Sequence, residues 1–420
     1  MPKLKAFKGL RPPKELVEKI QCQPYDVIDS KEARLDAKDN DYSLLHITKA
    51  EIDFDEKENI NENDPQVFKK ALSNFNQFKE KKWLIKDKEA KLYIYAQTMD
   101  ERTQYGIVGC ASINDYINGK IKIHEYTRKE KEDGRMNHIK ETNANMEPVF
   151  FAYRENSKIN EIVDNIIKNE EPIYNFKSPK DGFGHQFWVI NNNEIIKEIE
   201  RIFENEIDYF YIADGHHRTA AAVRVGLEKR NNQSNDNLND EYNYFLTVAF
   251  PSNHLKIFDY NRVVKDLNGL NKEDFLKKIE ENFIIENKGS NLYKPEQHHI
   301  FSMYLDKEWY KLIAKDDSFD KNNIIDSLDV SILSKNILDK ILGIKDLRTD
   351  KRIDFVGGIK GIEELKLRVD SGEMKCAFAL FPCSIEEFMN IADHNEIMPP
   401  KSTWFEPKLA SGLFIHELDE

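Results

Sequence analysis

The stretch YIADGHHRTAAAVRVG, Tyr211–Gly226, decides the reading of this chain. It begins apolar, breaks at Asp214-Gly215, carries two histidines and an arginine, and continues as an alanine-rich helical pattern. The simplest account is a strand over Asp208–Asp214 and a helix from Thr219 to Lys229, joined by DGHHR. Gly215 can take the positive φ that such a turn needs. The start of a helix leaves backbone N–H groups unpaired and carries roughly half a positive charge. Those groups point where an anion can sit. His216, His217 and Arg218 add side-chain donors there, and arginine can hold phosphate oxygens bidentately. Thr219 adds a hydroxyl, and the small Ala220, Ala221 and Ala222 allow the helix to pack closely. Asp214 is the odd member, because an acid beside a phosphate repels it. It can instead orient a histidine or hold a divalent cation. The plainer alternative is a polar turn in which Asp214 caps the helix and the histidines pack. The cluster as a whole favours an anion site.

Working outward, short apolar runs alternate with helical patterns. KLYIYAQ (Lys91–Gln97) and YGIVGCAS (Tyr105–Ser112) read as neighbouring strands, and PVFFAY (Pro148–Tyr153) as another. INEIVDNIIKN (Ile159–Asn169) and EIIKEIERIFEN (Glu194–Asn205) are amphipathic helices on either side of the strand QFWVI (Gln186–Ile190). YFLTVAF (Tyr244–Phe250) is a further strand. The Asn-rich run Arg230–Asn243 before it reads as a surface loop. Further on come a helix over Asp329–Leu342, a strand over Cys376–Pro382 and a helix over Ser384–Asn395 with Ser384 as its N-cap. Strand and helix are intermingled, which gives a mixed α/β class. Domain divisions are expected near residues 120 and 255. The expected organisation is an accessory region 1–120, a core 121–255 and a C-terminal region 256–420.

The totals limit the function. Of the 420 residues, 40% are hydrophobic and 33% charged, with a formal net charge of -13. That balance, with no long Lys/Arg block, argues against a nucleic-acid partner. The four cysteines, Cys22, Cys110, Cys376 and Cys383, form no C-x-x-C pair and suit a reducing compartment. No run approaches the roughly 18 apolar residues of a membrane helix, and MPKLKAFKGLRPPKEL lacks a signal-peptide core. A soluble, cytoplasmic protein is the expectation.

Two other segments bear on chemistry. IKIHEYTRKEKEDGRMNHIKETNAN (Ile121–Asn145) places His124-Glu125 at an element end, where a carboxylate can serve as a base. Its lysines read as a solvated helix face. MPPKSTWFEPK (Met398–Lys408) holds Lys401, Ser402 and Thr403 behind two stiffening prolines, either as an anion-binding loop or as a docked tail. Arg11 in FKGLRPP and Asp26 in QPYDVI are possible ligands, with packing the stronger reading. DFVGGIKG (Asp354–Gly361) matches neither phosphate-loop pattern and reads as a tight turn. No H-E-x-x-H, G-x-S-x-G or kinase signature is present.

DGHHR at a strand-to-helix turn resembles the phosphate-binding motif of ParB-type nucleotide-binding domains, sulfiredoxins and free-serine kinases. Where sulfiredoxins carry a cysteine, this chain has His216 and His217, which removes peroxiredoxin repair. The H-E pair His124-Glu125 and the segment Pro399–Thr403 resemble, in type and order, two further motifs of the free-serine kinases. From FKGLRPP and PYDVI to MPPKSTWFEPK, the chain is similar over nearly its full length to the domain of unknown function 1015 family. The resemblance implies a ParB/sulfiredoxin-like core. It implies that Asp214, Gly215, His216, His217, Arg218 and Thr219 hold nucleotide phosphates, with Asp214 and His217 also serving catalysis. It implies that Glu125 is the base, that His124 with Lys401, Ser402 and Thr403 binds the small substrate, and that Mg2+ accompanies the phosphates, with Asp214 as a metal ligand. The expected function is a phosphotransferase between ADP or ATP and a small hydroxy compound, free serine or O-phosphoserine first. The alternatives are a ParB-like nucleotide switch and a phosphoserine phosphatase using the same anion site.

Overall fold

Nine strands form the main sheet of the computed structural model, which describes residues 1–58, 60–232 and 237–419. They are β1 (Leu4–Lys5), β2 (Leu92–Met99), β3 (Arg102–Ser112), β4 (Ile121–Lys122), β5 (Val149–Tyr153), β6 (Tyr174–Lys177), β7 (Gly184–Ile190), β8 (Phe210–Asp214) and β9 (Tyr244–Pro251). Their order across the sheet is β4-β8-β5-β9-β3-β2-β7-β6, with β1 beside β3. β4 runs parallel to β8 and β5 parallel to β9, and the other pairs are antiparallel. The class is mixed α/β, as the alternation of patterns predicts. β5 is buried along its whole length, which is why PVFFAY reads as a continuous apolar run rather than an alternating one.

Six helices of this unit are eight residues or longer among the described residues. They are α1 (Ser30–Ala37), α2 (Pro65–Glu80), α3 (Lys129–Thr142), α4 (Ser157–Asn169), α5 (Asn193–Glu206) and α6 (His216–Asn232). Asn156 caps α4 and Asn192 caps α5, each accepting two backbone N–H bonds. Ile159, Val163 and Ile166 of α4 and Ile196, Ile199, Ile202 and Phe203 of α5 present one apolar stripe each to the core. There they share a cluster with Ile94, Ile107, Phe151 and Ile212 of the sheet.

The division expected at residue 120 runs through this sheet. β3 pairs with β9 from Ser112↔Tyr244 to Ile107↔Ala249, so strands from both sides of residue 120 share one hydrogen-bonded layer. The first compact unit is Met1–Leu255 with Pro407–Glu420, and the second is Lys256–Glu406. The last stretch belongs to the first unit because its backbone pairs there: Ser411 with Cys22, Ile415 with Leu10, and His416–Glu417 with Ala144–Asn145. The expected C-terminal region 256–420 is therefore not one piece. Of the expected loop Arg230–Asn243, α6 takes the first residues, Glu241–Asn243 form a short 3-10 turn, and residues 233–236 lie outside the described residues.

The second unit holds an antiparallel six-stranded sheet: β10 (Tyr260–Val264), β11 (Phe283–Gly289), β12 (Ile300–Leu305), β13 (Glu308–Ala314), β14 (Ile353–Gly357) and β15 (Cys376–Ala379). The order is β11-β13-β12-β15-β10-β14. The helix expected over Asp329–Leu342 is α7 (Asp329–Leu333) followed by a π-helical segment, Ser334–Asp339. α8 (Ile385–Asp393) starts at Ser384, which forms a capping box with Glu387. Among the described residues no helix is long and apolar enough to cross a membrane.

Candidate functional site

β8 ends in an irregularity. Tyr211 pairs with Ala152 and Ile212 with Phe151, but the next pairing is Asp214 with Phe150, so Ala213 is an extra residue. Such a bulge re-aims the side chains around it. Gly215 follows with φ of 95°, and α6 begins at once with His216. The helix starts earlier than the pattern from Thr219 indicates. His216, His217 and Arg218 are its first turn, and helical geometry sends them in three directions. The first intrahelical bond runs from the Thr219 N–H to the Gly215 carbonyl, 2.9 Å. The N–H groups before it have no partner within the helix.

His216 turns inward. It is 8% exposed, and its ring lies edge-on to that of His124, centroids 4.6 Å apart. Burial, with His217 and Arg218 nearby, lowers its pKa to about 4 against the opposing pull of Asp214. His216 is therefore neutral near pH 7. Its Nε2 is buried and has no hydrogen-bond partner among the described residues, a position that ordinarily calls for one. Burial, then His216, keeps His124 neutral as well, its pKa well below the usual value. Glu125, next in the chain, is partly exposed. The His-Glu pair and the DGHHR turn, 88 or more residues apart in sequence, thus meet through their histidines.

His217 faces the other way. Its Nε2 accepts the backbone N–H of Arg128 at 2.9 Å, which leaves the proton of the neutral ring on Nδ1. Burial, then Lys131 and Arg128, lowers its pKa. Thr219 is fully buried, and its hydroxyl donates back to the Gly215 carbonyl at 3.1 Å. It packs under the turn and offers no free donor, as a threonine bonding the preceding helical turn commonly does.

Arg218 is committed to acids, not held open. It is 6% exposed, and Nη1 donates to the Pro148 carbonyl. Nη2 lies 3.1 Å from Asp214 Oδ2 and 3.5 Å from Asp26 Oδ2. Asp214 has a second cation, Lys408 Nζ, 3.9 Å from Oδ1. Burial alone pushes the Asp214 carboxyl up, but Lys408, Arg218, His216 and the Gly215 N–H together bring it below its ordinary value. Asp214 is ionised between two cations. Among the described residues no three His, Cys, Asp or Glu side chains group as a metal site. Asp214 is the centre of an ion-pair set with Arg218 and Lys408.

Three contributors escape the sequence reading. Asp26, taken there as a packing residue, is a partner of Arg218. Lys408, the last residue of MPPKSTWFEPK, faces Asp214. Glu147, 7% exposed, accepts the Tyr25 N–H and the Ser411 hydroxyl, both at 2.9 Å, and burial raises its pKa. Only Asp26 carried a signal, the turn-rich QPYDVI around it. Arg11 does remain a structural residue, its Nε 2.7 Å from Asp87 Oδ2. Beside Asp26 opens a cavity of about 370 Å3 between the Tyr25–Glu32 stretch and α3.

Lys401, Ser402 and Thr403 belong to the second unit. Lys401 has φ of 61°, its carbonyl accepts from Arg262 Nη2 at 2.9 Å, and its Nζ lies 5.5 Å from the Tyr260 ring centre. The Ser402 hydroxyl donates to the Pro399 carbonyl at 2.6 Å. Within that unit Tyr260 packs on Trp404, ring centroids 4.8 Å apart.

A family described as Protein of unknown function (DUF1015) matches residues 4–331, and the chain belongs to it. No curated protein matches the chain. Among solved structures, it is similar to a free serine kinase in complex with AMP at 15% identity, over 75% of this chain and 91% of that one, with a TM-score of 0.38. It is similar to a conserved hypothetical protein from Pyrococcus furiosus at 15% identity, over 71% and 90%, TM-score 0.33. SbnI from Staphylococcus aureus, with a C-terminal truncation, is similar at 9% identity, over 71% and 82%, TM-score 0.38.

Proposed function

We propose that this member of the DUF1015 family moves a phosphoryl group between a nucleotide, ADP or ATP, and a small hydroxy compound, with free serine or O-phosphoserine as the first choice. The observation that carries the reading is the His124–His216 contact. It sets the His-Glu pair beside a helix start whose buried His216 Nε2 lacks a partner. Phosphoryl transfer asks a protein for positioning and for donors around the equatorial oxygens, and for little covalent chemistry. Here His216 Nε2 and the first N–H groups of α6 hold phosphoryl oxygens, and Lys408 supplies positive charge. Asp214 and Arg218 fix Lys408 and the turn in place. His217 ties the turn to the start of α3 through the Arg128 N–H.

The Glu125 carboxylate accepts the proton of the serine hydroxyl as its oxygen forms the new O–P bond. The bond from phosphorus to the bridging oxygen of the nucleotide breaks, and the electron pair leaves on the nucleotide phosphate.

The test incubates the purified chain with ADP or ATP, Mg2+ and a panel of hydroxy amino acids, with products followed by mass spectrometry. Phosphorylated product from a hydroxy amino acid supports the reading. Phosphate release from phosphoserine without nucleotide points to a hydrolase. Nucleotide binding with no transfer in either direction points to a switch.

A further inference from the structure

The cavity beside Asp26 has walls whose charges are unevenly committed. Lys49 Nζ lies 3.2 Å from Glu51 and 3.5 Å from Glu62. Asp29 and Glu32 close the capping box that starts α1. Asp26 faces Arg218. Two wall cations remain. Lys131 is exposed and makes no ion pair among the described residues. Arg135 makes neither a hydrogen bond nor an ion pair among the described residues, and its guanidinium carbon lies 3.8 Å from the Tyr25 ring centre.

That contact is informative. A guanidinium on an aromatic face keeps its N–H fork in one plane and free at the edge, which suits bidentate binding of a planar anion. The backbone beneath it is set closely. A Cβ on Gly134 would stand 2.2 Å from Asn63 Oδ1, so glycine lets α3 approach the Asn63 segment in the cavity wall. Arg135 also lines a smaller hollow of about 30 Å3 with Glu147 and Arg218, on the side of the DGHHR turn.

The wall carries four carboxylates, Asp26, Asp29, Glu32 and Glu62, against three cations, Lys49, Lys131 and Arg135. A dianionic phosphate is repelled by such a wall, whereas a zwitterion fits it. A carboxylate meets Arg135, and an ammonium meets Asp26. We propose that this cavity binds the α-amino acid head of the substrate, with Arg135 as the carboxylate partner and Asp26 facing the ammonium. The inference rests on the phosphotransfer reading for the identity of the ligand as a hydroxy amino acid. It assigns head-group recognition to the cavity wall of the first unit.

The test measures binding of L-serine and of ethanolamine, which lacks the carboxylate, to the full chain by NMR saturation transfer, with AMP binding followed by calorimetry on the same samples. The expected result is a preference for serine of at least tenfold. Arg135→Met abolishes it, Arg135→Lys restores part of it, and AMP affinity stays within twofold in both variants. Retained AMP binding shows that the variants are folded. An Arg135→Met protein that keeps the preference overturns the inference, as does a wild-type protein that takes both probes alike or binds neither. If AMP binds and the serine preference is absent, the inference falls alone. If AMP does not bind and the Arg135-dependent preference is present, the phosphotransfer reading falls and the amino acid site stands.

Discussion

Lys408 Nζ lies 3.9 Å from Asp214 Oδ1, and Arg218 Nη2 lies 3.1 Å from Asp214 Oδ2. The acid of the DGHHR turn is thereby placed between a cation from the end of the chain and one from its own helix. On the proposed reading Lys408 supplies the positive charge that faces a bound phosphate. Lys408→Met is expected to raise the Kd for AMP about tenfold, or about 1.4 kcal/mol. Titration calorimetry checks this, and an unchanged Kd removes Lys408 from the phosphate site.

Glu125→Gln keeps the shape of the side chain and removes the base. Turnover is expected to fall by at least roughly a hundredfold, the usual share of general base catalysis, with AMP affinity unchanged. Transfer assays and calorimetry on one preparation read the two quantities. Normal turnover by the variant ends the role given to Glu125.

Gly215 has φ of 95°, and a Cβ there would stand 3.2 Å from Arg218 Nε and 3.5 Å from the Val149 Cα. Gly215→Ala therefore meets both the left-handed backbone penalty and a tight contact with the ion network. A loss of roughly 1–2 kcal/mol is expected. Denaturant unfolding measures it, and a stability equal to the wild type shows that the turn tolerates a side chain.

His216 sets a pH dependence. Its pKa is about 4 in the folded chain, against 6.5 for the unperturbed group. As pH falls, the unfolded chain takes up this proton first. The stability that neutral His216 permits is fully present above 6.5, is lost between 6.5 and 4, and levels off below 4. The swing attributable to this residue is about 3 kcal/mol. His124 and His138, also buried with lowered pKa values, contribute to the total. The difference between wild type and His216→Asn isolates the component of His216. Stability curves that stay parallel from pH 7 to 4 contradict the assignment.

The sequence shows the site in outline. The strand, the glycine turn and the alanine-rich helix of Tyr211–Gly226 carry enough local signal to place a strand-to-helix turn there, and the mixed α/β class follows from the same alternation. What stays hidden has a common cause. The direction of His216, His217 and Arg218 depends on a helix that begins three residues before the apolar pattern does, and on the bulge at Ala213. Neither leaves a mark in hydrophobic periodicity. Asp26 and Lys408 join the turn from opposite ends of the chain, through pairings such as Cys22↔Ser411 that no local pattern specifies. The same pairings return residues 407–420 to the first unit, which no composition shift announces.

The most direct test of the central claim follows phosphorus between the two substrates. The chain is incubated with ADP or ATP, L-serine and Mg2+, and the reverse reaction is run from O-phosphoserine and AMP or ADP, each with wild type and Glu125→Gln. The account predicts O-phosphoserine, or the corresponding reverse product, from the wild type only. Binding of nucleotide by both proteins with no phosphoryl transfer in either direction, to serine or to any other hydroxy amino acid, contradicts it.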